Sequence, residues 1–399
     1  MKKLKLFMSR GMGNMSRRGL MLVAFLAVLA VAQTASADML SVSLSDLSDF
    51  VIFSGGGLAI NGGTEIGGHT HITGDIGSNQ DLFLQGNPLN DYPAQLDGSA
   101  YAGGNLTFGQ DLTVGSSSGP LRDVVANGAA TIGGGADIYG NLYGNDVTLG
   151  QLTGIRQVGG IGGNVEYTNN YTPSTAIVEG SVSSPSTKTF GLITPMPAAT
   201  TFTASGPDQE VPAASDELTL APGTYGALAT SQQDQKVTLS SGKYYFDSID
   251  AKGGFTLEID LTSGNPVEIY VVGDAAFSQN NTIMVKGEGT GGIYKSLDQA
   301  PELASLIYME THGNFTMGGA TSANHNIWGG TVYSSLLDVN IGQYMDWYGA
   351  VYAFGSFKTA DHGTWNNVPL TVVPAPSAVL LAIIGLGFAG NRLKKKEQL

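Results

Sequence analysis

The side chains able to do acid–base or metal chemistry are few in this 399-residue chain, which has 5 histidines and no cysteine. His69 and His71 are separated by one residue, so in a strand both point to the same face. Two imidazoles on one face are the start of a metal site. No carboxylate cluster adjoins them, since Glu65 and Asp75 are free to face either way, and the pair reads as two polar residues on a solvated face. His312, His325 and His362 come much later, with Glu310, Asp346 and Asp361 close by in sequence. A hydrolase needs a nucleophile, a base and an orienting group that converge, and the expectation is that neither a Gly-x-Ser-x-Gly elbow nor a His-Glu-x-x-His helix supplies them. Polysaccharide-active β-helix enzymes use clustered carboxylates with Lys or Arg, and no such cluster is marked here. No catalytic, cofactor-binding or metal-ligating residue is therefore assigned, no cofactor is expected, and the chain reads as a protein that is not an enzyme. Neither an Asp-x-Asp-x-Asp loop nor a Gly-Gly-x-Gly-x-Asp repeat is present, which leaves calcium only diffuse, weak binding.

Threonine offers a different chemistry. Thr107, Thr113, Thr131 and Thr148 each sit beside apolar strand positions, and stacked outward they would form a hydroxyl ladder able to order water or hold ice. Their spacing is irregular, however, and threonine is an ordinary exposed-strand residue.

These residues lie on short strands. From Ser54 to about Val182, two to four residues alternate between apolar and polar and are closed by glycine, as in Gly104-Asn105-Leu106-Thr107-Phe108-Gly109 and Asp111-Leu112-Thr113-Val114-Gly115. Period-2 alternation predicts half-buried strands, with the glycines at corners that need positive φ. Strands this short suit the sides of a β-solenoid, whose circuits take roughly 18 to 25 residues and stack into a continuous core. No strict period is visible. The predicted fold is all-β, a right-handed parallel β-helix, with an N-terminal signal helix and a short C-terminal transmembrane helix. Residues 38–182 form its glycine-rich part, opening on an amphipathic stretch up to Phe53 read as a cap over one end. Residues 183–217, rich in Pro, Ser and Thr, form a linker or excursion, and residues 218–372 carry a second, longer-stranded part.

Both ends carry address labels. Lys2, Lys3, Lys5, Arg10, Arg17 and Arg18 precede an apolar run over residues 20–31. Ala35-Ser36-Ala37 is a small-residue cleavage site, so residues 1–37 read as a signal peptide with Asp38 first after cleavage. Residues 373–399 contain Pro374-Ala375-Pro376-Ser377, an apolar run over 378–390, and the basic stop Arg392, Lys394, Lys395 and Lys396. Those two labels hold 6 and 4 of the 19 basic residues but only 1 of the 33 acids, leaving a body with 9 cations against 32 acids. That surplus repels nucleic acid and anionic lipid. Absence of cysteine leaves stability to the core rather than to crosslinks.

The tail resembles the PEP-CTERM sorting signal, with Ala375 where that family most often has Glu, and the same tail is also catalogued as the C-terminal region of ice-binding proteins. The resemblance implies processing by signal peptidase and an exosortase-like enzyme, a transient inner-membrane anchor through the tail, and delivery to the outer surface or outside the cell. The body resembles β-helix domains of unknown function in bacterial surface proteins, through the segments at 220–225, 241–246, 267–274 and 349–353. The expected function is that of a non-enzymatic secreted cell-surface or matrix structural protein. The alternatives are an ice- or polysaccharide-binding adhesin, with extracellular polysaccharide as the partner, and a polysaccharide-active enzyme.

Overall fold

The computed structural model describes residues 47–56, 63–86, 94–193, 196–213 and 216–370. Ala35, Ala37, Asp38, Pro374, Ala375, Pro376, Ser377, Arg392, Lys394, Lys395 and Lys396 lie outside these residues, as do both predicted terminal helices. No helix among the described residues is long and apolar enough to cross a membrane.

The described chain is all-β, with one short 3-10 helix at Pro301–Leu306. Alternation does what it predicts: Leu106–Phe108 and Leu112–Val114 bury their outer residues and turn the threonine between them outward. The strands visit three faces in turn, and each pairs in parallel with the strand of the next circuit. Phe50–Ser54 pairs with Asp75–Ser78, Gly63–Ile66 with Asp81–Leu84, and His71–Thr73 with Ala94–Asp97. The step varies between rungs, 24 residues from Ser54 to Ser78 and from Asp81 to Asn105 but 18 from Thr64 to Leu82 and from Ala94 to Leu112, so the circuits follow no strict period.

The first face runs without a break through Gly223–Thr224, Gly242–Phe246, Val267–Val271, Ile307–Thr311, Asn326–Ser334, Met345–Ala353, Phe50–Ser54, Asp75–Ser78, Ala100–Ala102, Arg122–Ala126, Asp137–Leu149, Val165–Thr172 and Val182–Ser183. Twelve steps of about 4.8 Å make the stack roughly 58 Å long. Asn326–Ser334 and Met345–Ala353 each turn a corner from the third face to the first at glycine. Gly330 has φ +95° and Gly349 +136°, and a Cβ on Gly349 would lie 2.2 Å from the Gly330 carbonyl oxygen.

The chain therefore enters the stack in the middle. Phe50–Ser54 is a rung with Met345–Ala353 on its other side. It is not a cap, because its second edge is already occupied. Gly63–Ile66 meets Phe357–Thr359, and His71–Thr73 meets Gly363–Asn366, at the same seam. From the seam the chain climbs to one end at residue 183. After Val182–Ser183 the next strand, Gln209–Val211, lies at the opposite end and belongs to the ladder of the second face. Climbing again, the chain returns to the seam.

Inward side chains form one apolar column. On the third face the column brings together all three tryptophans, Trp328, Trp347 and Trp365, which are in register with one another and then with Ile72 across the seam. All three are buried, and the Trp347 and Trp365 rings stack at 5.5 Å. At roughly 25 cal/mol per Å² of apolar surface removed from water, such a column supplies the stability that crosslinks do not.

The outward row of the first face is aromatic, with Tyr245, Tyr270, Tyr333, Tyr352, Phe53 and Tyr101 in it. Residues 184–193 and 196–208 lie along this row as a strap. Phe190 packs against Phe50, Phe53 and Tyr101, while Phe202 packs against Tyr245 and Tyr270. Proline suits that task, since an extended chain of about 3.1 Å per residue spans the distance without needing ladder donors.

Candidate functional site

With the first face covered, the second and third remain open. On the second face, Phe83, Thr107, Thr131, Thr148 and Thr172 occupy one outward row on consecutive rungs. Four threonines thus align over three steps, roughly 14 Å. Their hydroxyls have no protein hydrogen-bond partner among the described residues, so they are free for water or a ligand. The irregular sequence spacing has a simple cause: the circuit between Thr131 and Thr148 is shorter than its neighbours. Thr172 was not singled out from sequence, and only knowledge of the circuit lengths would have found it. Thr113 belongs to the third face, between Gln95 and Asp137.

The row is flanked by close backbone approaches and by hydrogen bonds between rungs. On one side are the corner glycines Gly109, Gly133 and Gly150; a Cβ on Gly133 would meet the Gly109 backbone at 2.5 Å. On the other side, acids and amides staple successive rungs. The Asn105 backbone N–H donates to Asp81 Oδ1 (2.7 Å), the Ala129 N–H to Asn105 Oδ1 (2.9 Å), and Asn170 Nδ2 to Asp146 Oδ1 (2.6 Å). Many of the body's carboxylates are used in this way, as acceptors for backbone N–H groups at corners. Towards the seam the row continues into Glu65 and Lys358, paired at 2.9 Å. Around them is a depression of about 550 Å³ lined by Glu65, Asp81, Phe83, Asp338, Asn340 and Lys358.

The third face is charged. Lys236 bridges Glu217 (2.7 Å) and Glu258 (3.4 Å), and Lys286 pairs with Asp260 at 2.6 Å. Those partners hold the Lys286 ammonium above its ordinary value, chiefly through Asp260.

The structure disperses the late histidines. His312 lies at the strap, its Nε2 3.0 Å from the Thr200 carbonyl and 3.7 Å from Glu310 Oε1. Glu310 is buried and accepts from the Thr200 N–H (2.7 Å) and the Tyr308 hydroxyl (3.0 Å). Burial, reinforced by the Glu310 charge, pushes the Tyr308 hydroxyl well above the usual phenol range. His325 Nδ1 is 3.1 Å from Asp346 Oδ2.

His71 faces Thr364 and Gln95 on the third face, apart from His69 in role. His69 sits at the corner before that face with φ +52°, and His362 occupies the equivalent corner one rung below with φ +63°. Their rings stack at 4.4 Å with an interplanar angle of 3°. Asp361 accepts a hydrogen bond from the Gly68 N–H at 2.8 Å. Burial lowers the His362 imidazole below its ordinary value, with His69 and His325 pushing the same way and Asp361 opposing. Sequence reasoning missed this pairing because the residues are 293 positions apart and meet only at the seam.

Contrary to the expectation that no Gly-x-Ser-x-Gly occurs, Gly115-Ser116-Ser117-Ser118-Gly119 has the spacing of a nucleophile elbow. It follows the strand Leu112–Val114 but leads into another strand, Arg122–Ala126, not into the helix that such an elbow requires.

Residues 203–371 match a domain family described as a domain of unknown function (DUF7305). The matched stretch contains the segments that resemble bacterial surface β-helix domains. No curated protein matches the chain. Among solved structures it is similar to an ice-binding protein from an Antarctic bacterium of the Flavobacteriaceae, at 13% identity and a TM-score of 0.25, over 83% of this chain and 99% of that one. A likeness at that score carries neither fold nor function.

Proposed function

We propose that this chain is an exported, non-enzymatic rod, a right-handed parallel β-solenoid. We infer that it works at the outer cell surface or in the matrix and presents its second face to a neutral extracellular polysaccharide. Right-handedness follows from the near-universal hand of parallel crossover connections. Export and tail processing by signal peptidase and an exosortase-like enzyme rest on the two terminal segments read from sequence.

The observation that carries the binding reading is the row of Phe83, Thr107, Thr131, Thr148 and Thr172. It faces solvent, and its hydroxyls have no partner among the described residues, whereas the strap covers the first face and ion pairs occupy the third. A row repeating every 4.8 Å or so suits a partner that also repeats. An aromatic ring beside hydroxyl, amide and carboxylate groups suits a sugar polymer, and the acidic body favours a neutral one over a polyanion. The threonine ladder favours one further reading, in which the same row orders water and holds ice.

Affinity electrophoresis through neutral β-glucan tests the first reading and a thermal-hysteresis assay tests the second, each on the wild-type chain and on Thr131→Lys/Thr148→Lys. Both positions are exposed, so the fold should persist. Retardation in β-glucan that the lysines abolish supports the polysaccharide reading. Hysteresis that they abolish supports ice. Neither effect in the wild type would remove the binding role from this face.

A further inference from the structure

We propose that His69, His362 and Asp361 form a binding site for a divalent transition metal of the Zn²⁺ or Cu²⁺ class, which clips the seam where the two ends of the body meet. One ligand atom from each of the three residues lies within 4.8 Å of the other two. The donor set is two imidazoles and a carboxylate, which selects borderline divalent ions over Ca²⁺ or Mg²⁺.

A second, independent observation points the same way. His69 Nδ1 and His362 Nδ1 are both shut off from water and have no hydrogen-bond partner. A buried polar nitrogen without a partner is costly, and here the two belong to stacked rings. A metal ion bound through the two Nδ1 atoms would relieve both at once. The backbone holds the pair in place: both histidines are in the left-handed region at stacked corners, and the Gly68 N–H fixes the Asp361 carboxylate. The Tyr344 ring stacks on His362 at 4.6 Å and continues the column of rings.

Binding requires movement of the side chains only. Zn–N distances of about 2.0–2.1 Å place tetrahedral ligand atoms roughly 3.3 Å apart, inside the 4.8 Å that bounds the separations of these three. A metal also lies in the plane of each imidazole it binds, so the stacked rings must splay by rotation. His69 and His362 come from opposite sides of the seam, and a metal between them would resist its opening.

The test is calorimetric titration of Zn²⁺ into the purified full chain, paired with the visible absorption of bound Co²⁺. Asparagine is tolerated in the left-handed region, so His69→Asn and His362→Asn keep the corners. Asp361→Asn keeps the acceptor for Gly68. One Zn²⁺ per chain is expected, with each of the three variants weakened by more than the roughly 10–100-fold that loss of a mere hydrogen-bond partner of a ligand costs. His71→Asn, two residues away on the third face, should bind as the wild type does. Far-UV circular dichroism checks that each variant is folded. Binding by folded His69→Asn or His362→Asn within twofold of wild type would overturn the proposal, as would equal weakening by His71→Asn.

Discussion

The strap over the aromatic face is held by two side-chain clamps, and removing them should free it without unfolding the stack. Asn79 donates from Nδ2 to the Ile193 carbonyl (2.7 Å) and accepts the Ile193 N–H on Oδ1 (2.9 Å). Asn127 does the same with Phe190, at 2.9 and 2.8 Å. Each clamp therefore imitates a two-bond β-bridge. At about 0.5–1.5 kcal/mol net per hydrogen bond, one clamp contributes roughly 1–3 kcal/mol to keeping the strap closed. The clamps sit two rungs apart, about 10 Å, far enough for their effects to add. Asn79→Ala or Asn127→Ala should then speed amide exchange in residues 184–208 by roughly 5- to 150-fold, at a tenfold change per 1.4 kcal/mol. The double variant should multiply the two factors. Hydrogen-exchange mass spectrometry reads this directly, with the core strands Leu106–Phe108 and Ala129–Ile132 as internal reference. Unchanged exchange in the strap would refute the clamp argument. So would an equal increase in strap and core, because that would make the strap part of one cooperative unit with the stack.

Two further outcomes are expected. Burial raises the Asp75 carboxyl above the usual carboxylate range, with Asp49 and Asp123 adding to it and the Ser99 N–H and Arg122 opposing. Its folded-state contribution is thus present below the ordinary carboxylate pKa and lost as pH rises through the raised value. Asp75→Asn should raise Tm at pH 7 and lose that advantage near pH 4, measured by scanning calorimetry; a constant difference across that window would count against the assignment. Replacing Pro374 and Pro376 by alanine should leave longer precursor in the inner membrane on immunoblots of fractionated cells, and normal release would defeat the sorting proposal.

Much of the rung structure was legible because it is local. Alternation at Leu106–Phe108 and glycine at Gly109 each report on their own few residues, and both the strands and the corners follow from them. The ladder was harder to read. Thr107 and Thr131 lie 24 residues apart and Thr131 and Thr148 only 17, so an unequal spacing in sequence becomes an equal one in space once circuit lengths are known. His69 and His362 were illegible as a pair, since nothing near either residue encodes a contact 293 positions away. Counting histidines could find both, but only the seam joins them.

The seam itself has a physical rationale. A parallel stack that simply climbed from one end to the other would leave its first and last rungs as open edges next to the chain ends, where new strands can pair. Here the first and last rungs of the described body cap each other: Ile52 lies opposite Val351, Ile72 opposite Trp365, and the Lys358–Glu65 ion pair joins the second face. The outer ends of the stack lie instead on either side of the strap, at Val182–Ser183 and Gln209–Val211, tied together by one continuous segment. Contacts within each half close loops of about one circuit, whereas the seam closes one of nearly 300 residues. Loop-closure entropy grows only with the logarithm of length, so the seam's extra cost is modest, roughly 2 kcal/mol for a dozenfold longer loop. The tryptophan column on one side of the seam and the isoleucines on the other bury enough apolar surface to exceed that cost. Folding order should follow from the same inequality: short circuits first in each half, then docking of the halves, with the strap spanning aromatic seats that each half supplies separately.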